Sequence, residues 1–120
     1  MKIERFEDIE VWKLSRELIK SIYRITESDK FCRDFDLKRQ IRRTSISIIS
    51  NISEGIERRS NNEFVQFLFI AKGSAGEVRS QLYIAYDLDY VSINDLEELK
   101  KRIEIISKSL SGFIKYLRST

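Results

Sequence analysis

The sequence predicts an all-α domain, an antiparallel up-down-up-down four-helix bundle, and three observations carry that reading. Apolar residues recur at steps of three and four over four long stretches, the signature of amphipathic helices. The chain has no Pro, so nothing in it forbids long helices. The intervals between the stripes are short, which sets neighbouring helices antiparallel. With 120 residues, 42% of them apolar and 34% charged, residues 1–120 read as one globular domain. Its core is thin, and oligomerisation often supplements a core of that size.

The first stripe is Val11, Leu14, Leu18, Ile22 and Ile25, flanked by Trp12 and Ile19, and predicts a helix from about Asp8 to about Thr26. A polar interval, residues 27–34, reads as a loop carrying Cys32 beside Phe31. The second stripe, Leu37, Ile41, Thr44/Ser45, Ile48, Ile52 and Gly55, predicts a helix from Asp36 to Glu57. Ser60 followed by Glu63 is a capping box that starts the third helix. Its stripe runs through Phe64, Phe67/Leu68, Ala71, Ala75, Val78, Leu82, Ala85 and Leu88. Residues 89–94 form a turn with Ser92 and Asn94 as candidate N-caps, the latter paired with Glu97. The last stripe, Leu96, Leu99, Ile103, Ile106, Leu110, Phe113 and Leu117, is the most regular.

Composition excludes several chemistries. The absence of His removes Ser-His and Cys-His dyads and the commonest zinc ligand. One Cys cannot form an internal disulfide or a thiolate cluster, so Cys32 reads as an inert, half-buried thiol. Four Gly in no phosphate-loop spacing argue against a nucleotide loop. No metal and no cofactor are expected. The first residues, Met1 to Arg5, contain no apolar signal segment and no apolar run is long enough to span a bilayer, so the expectation is a cytoplasmic protein without a membrane partner.

The second helix carries the candidate functional residues. Ile46, Ile49 and Ile56 fall away from its core stripe, and a helix apolar on two sides is usually buried on two sides; these three are the expected oligomer interface. Gln40, Ser47, Asn51 and Glu54 share another flank. One Glu among amides and hydroxyls makes a poor catalytic row, and the expectation is a structural polar network between helices. Lys38, Arg39, Arg42, Arg43, Arg58 and Arg59 give residues 37–60 six bases against Glu54 and Glu57, a local +4 that exceeds the whole-chain 22 − 19 = +3. Such a cluster can grip phosphates through charge and bidentate guanidinium contacts, or remain a solvated face. Asp87, Asp89, Asp95, Glu97 and Glu98 supply the opposite sign, as head-to-tail subunit contacts would require. Gly73-Ser-Ala-Gly76, small residues over one turn inside the third helix, suggest close approach of a neighbouring helix, the polar flank of the second being the candidate.

Four segments, Phe6–Trp12, Gln40–Arg43, Ser47–Gly55 and Ile70–Ser74, resemble in order and separation the bacterial four-helix-bundle family found in open reading frames of 23S rRNA intervening sequences. The resemblance covers essentially the whole chain. It implies the same bundle and a ring-like homo-oligomer, typically a homopentamer. A related accessory protein of diversity-generating retroelements, a basic pentamer, binds nucleic acid and a reverse transcriptase. The implied partners are therefore a second copy of the chain, RNA or DNA, and a reverse transcriptase or ribosomal context. The function expected is non-enzymatic binding of structured RNA or a nucleoprotein through the basic face of the second helix, the alternative being a protein-interaction scaffold.

Overall fold

A computed structural model describes residues 9–120, and among these every regular element is helical. The expected helix start at Asp8, and residues 6–8 of the first family-like segment, lie outside the described residues. Five helices follow in order: α1 (Glu10–Ile25), α2 (Asp29–Arg33), α3 (Phe35–Ile56), α4 (Asn61–Asp87) and α5 (Ile93–Arg118). The four long ones match the four stripes, and α2 is additional. It forms where a polar loop was expected, because Phe31 is fully buried and its ring packs 5.3 Å from that of Tyr90, while Ser28 provides an extended N-cap. A helix of five residues shows no periodicity to read.

Cross-helix contacts fix the topology. Trp12 near the start of α1 donates to Ser53 Oγ near the end of α3, whereas Arg42, early in α3, reaches Thr26 just past the end of α1. Those helices are antiparallel. Ser47 to Ser74 and Thr44 to Gln81 set α4 antiparallel to α3, and Asn61 to Leu117 does the same for α5 against α4. Arg102 of α5 donates to Ser21 of α1 and closes the square. The molecule is a rod of 47 × 21 × 20 Å.

The core follows the stripes, with shifts in α5 and at the end of α4. Leu37, Ile41, Ser45, Ile48, Ile52 and Gly55 of α3 are all buried. In α5, Ile114 rather than Phe113 takes the fully inward position, leaving Phe113 edge-on to Phe64 at 5.1 Å. Leu88 is not in the core, being 47% exposed, because α4 ends there in a turn that reverses the chain. Tyr90 N–H bonds Ala85 O and Asp89 N–H bonds Tyr86 O, with Asp89 at φ 63°, the left-handed position usually given to Gly. Ser92, not Asn94, caps α5 by accepting from Asp95 N–H, and Ser60 caps α4 by accepting from Glu63 N–H.

The Gly73–Gly76 turn does meet the polar flank of α3, but through buried Ser74, which bonds Ser47, and not through its glycines; the glycine that a close approach requires is Gly55. A Cβ on Gly55 would stand 2.8 Å from Phe64 Cδ1 and 3.1 Å from Phe67 Cβ. Space beside Gly73 and Gly76 is open, so no helix of the same chain needs them.

Candidate nucleic-acid interface

The bases at the start of α3 divide into two held inside the chain and two left outside. Arg42 Nε donates to Thr26 Oγ1 at 2.8 Å, its Nη2 donates to Tyr23 O and Glu27, and its guanidinium lies 4.2 Å from the Tyr23 ring centre. It therefore closes the C-terminal end of α1. Lys38 Nζ meets Glu27 Oε1 at 3.0 Å and Cys32 Sγ at 3.5 Å. Glu27 thus faces two cations, and its hydrogen bonds to Lys38 first and Arg42 second hold its carboxyl below the usual carboxylate range. The same bond from Glu27 pushes the Lys38 ammonium up.

Arg39 and Arg43 stand one turn apart, exposed, with no partner among the described residues. With Tyr23, Phe35, Lys38, Arg42 and Ile46 they line a groove of about 490 Å³ at the α1–α3 edge. Helical geometry explains the grouping: Phe35, Arg39, Arg42, Arg43 and Ile46 recur at three- and four-residue steps along the outward side of α3. Such a groove can hold a phosphate between free guanidinia and an apolar ring system beside it.

Arg58 and Arg59 are not part of it. They lie at the other end of α3, about 24 Å along the helix from Arg42. There Arg58 pairs with Glu54 at 2.8 Å and lies 4.7 Å from the Phe67 ring centre.

The expected polar row assembles only in its middle. Asn51 Nδ2 donates to Ser47 O at 2.8 Å and Ser47 Oγ at 3.1 Å, and Ser47 Oγ shares a 2.9 Å bond with Ser74 Oγ of α4. Thr44 and Gln81 extend this seam one turn away, where Gln81 Oε1 is buried without a partner. Glu54 points to solvent and Gln40 is exposed, so neither joins the seam.

Of the expected interface isoleucines, Ile46 is 39% exposed in the basic groove, Ile49 is half-buried, and Ile56 packs against its own core. The larger exposed apolar surface belongs to α4. Ile70 is 52% and Ile84 49% exposed, on the outward side shared with Gly73 and neighboured by Phe69, Gly76 and Tyr83. The acids at the α4–α5 turn sit at the same end of the rod as the basic groove, on the opposite edge of the square. Sequence periodicity could not have found Glu27, Thr26, Ser74 or Gln81, since each acts through a partner on another element. Phe35 was findable as an apolar residue outside the α3 stripe.

Among the described residues no group of three or more His, Cys, Asp or Glu could hold a metal ion, and no helix is long and apolar enough to cross a membrane. The family described as "23S rRNA-intervening sequence protein" matches residues 7–112. A crystal structure at 1.70 Å of a protein of unknown function from the S23 ribosomal protein family of Bacteroides thetaiotaomicron VPI-5482 superposes with a TM-score of 0.80. It is 27% identical, and the match covers 88% of this chain and 98% of that one. No curated protein matches the chain.

Proposed function

The chain belongs to the 23S rRNA-intervening sequence protein family, and from that premise we propose that it is a homo-oligomeric, non-enzymatic protein that binds structured RNA through the α1–α3 groove. The observation that carries the reading is the pair Arg39 and Arg43, presented outward and unpaired one turn apart. Unneutralised guanidinia at a groove favour a polyanion, and the family's rRNA setting favours RNA among polyanions. Lys38 and Arg42 support the groove's shape and add to its field. Arg58 and Arg59 form a second, weaker basic point at the far end.

Oligomerisation is supported by the outward face of α4. Two glycines in mid-helix each cost about 1 kcal/mol relative to Ala, and a helix from another subunit packed over them would offset that cost. Ile70 and Ile84 would be buried in the same contact. An assembly packed through the α4 face would leave the α1–α3 groove of each subunit open, so that weak RNA contacts at repeated grooves add by multivalency. The α4 face also favours the second reading, a protein-binding scaffold with no RNA role.

The test is an RNA-binding titration of the unmodified chain against the Arg39→Glu, Arg43→Glu double variant, with light scattering on both. Affinity should fall by about tenfold or more while the melting temperature holds, because both side chains are exposed. The mass should be a multiple of 14.3 kDa. Unchanged affinity leaves the scaffold reading, and a monomer at micromolar concentration overturns the assembly.

A further inference from the structure

Phe35 is the most exposed large apolar side chain among the described residues, 67% accessible, and nothing in the subunit accounts for it. It occupies the first position of α3, directly after the N-cap Asp34, whose carboxylate is committed to Leu37 N–H and the Tyr90 hydroxyl. The ring stands on a ridge between two depressions. On one side is the groove with Arg39 and Arg43; on the other is a depression of about 470 Å³ lined by Lys30 and Arg33 of α2 together with Tyr90, the committed Asp34 and one further carboxylate, Asp36. Lys30 and Arg33 are exposed and, like Arg39 and Arg43, unpaired among the described residues.

An aromatic ring flanked by free cations on both sides is the arrangement that grips a single strand: phosphates lie on the cations and a base lies on the ring. A duplex keeps its bases stacked on one another and offers the ring nothing. We infer that Phe35 is a stacking platform for an unpaired base, with the flanking phosphates held by Arg39 and Arg43 on one side and Lys30 and Arg33 on the other, so that the site selects single-stranded over double-stranded RNA. The inference rests on the RNA-binding reading and narrows it to loops, bulges and ends of structured RNA. Every base has a π-face, so the selection is for an unpaired base and not for a sequence.

The experiment measures fluorescence anisotropy with a labelled oligouridine strand and a labelled RNA duplex of matched length, for the unmodified chain, Phe35→Ala, Phe35→Trp and the Arg39→Glu, Arg43→Glu pair. The strand should bind more tightly than the duplex. Phe35→Ala should weaken strand binding about tenfold and leave duplex binding unchanged, and Phe35→Trp should restore it. Thermal melting should be alike for all, since the substituted side chains are exposed. If Phe35→Ala leaves strand binding intact while charge reversal abolishes it, the stacking inference is overturned and the basic-groove reading survives. If charge reversal changes neither probe's binding, both fall. If Phe35→Ala instead alters the mass by light scattering with no change in RNA binding, the ring belongs to a subunit contact, which also overturns the inference.

Discussion

Arg42 and Arg39 have the same side chain and opposite roles, and the difference comes from what the end of α1 presents to each. Arg42 meets Thr26, Tyr23 O, Glu27 and a ring face, so its charge is satisfied before any ligand arrives. Glu27 is the neutralising element of the groove. With its carboxyl held below the ordinary range, its contribution to folding is fully present above that range and is lost as pH falls through the lowered value. Glu27→Gln should therefore lower the melting temperature at neutral pH, with the difference from the unmodified chain shrinking in acid. At neutral pH the same substitution should tighten RNA binding a few-fold, because Lys38 and Arg42 lose their counter-charge. Melting curves across the acid range and one binding titration check both statements. The bases were legible in the sequence, but which two of the four were already occupied was not, because Glu27 lies outside α3.

At the scale of elements, the α3–α4 seam is a chain of short polar side chains between two core-packed helices. Asn51→Ala removes two hydrogen bonds from a half-buried site and should cost about 1 kcal/mol in denaturant unfolding. Glu54→Ala removes only an exposed pair one turn long and should cost a few tenths of a kcal/mol. Equal costs would contradict the division of the row. The glycines of α4 give a sharper contrast. Nothing stands within 4 Å of a Cβ on Gly73 or Gly76, so Ala at either should stabilise the isolated subunit by about 1 kcal/mol through helix propensity. In an assembly packed over that face, the same substitutions should loosen the oligomer, raising the concentration at which light scattering reports dissociation. The α4 stripe of Phe64, Leu68, Ala71, Ala75, Val78, Leu82 and Ala85 was legible because burial on one side imposes the helical period. Periodicity says only that a position faces inward or outward. It could not distinguish a glycine required by its own bundle, as at Gly55, from glycines on an open face.

For the molecule as a whole, one end of the rod carries opposite charges on opposite edges, bases where α1 meets α3 and acids where α4 meets α5. The modest net charge of +3 conceals this separation. The bundle and the position of the cluster on its second long helix could be read from spacing, and the family from the resemblance of four short segments. The up-down-up-down order also puts both charge clusters at one end, but the contact of Tyr90 with Asp34 there could not be read, since it depends on how the turns pack. The central claim is that RNA phosphates lie on Arg39 and Arg43, and the salt dependence of binding tests it most directly. The measurement is the slope of log affinity against log salt for an oligouridine strand, in the unmodified chain and in an Arg39→Gln, Arg43→Gln variant. The expected result is a negative slope that becomes shallower in the variant by about 1.4 per engaged subunit, two phosphate contacts at about 0.7 each. A flat slope, or the same slope in both proteins, would contradict it.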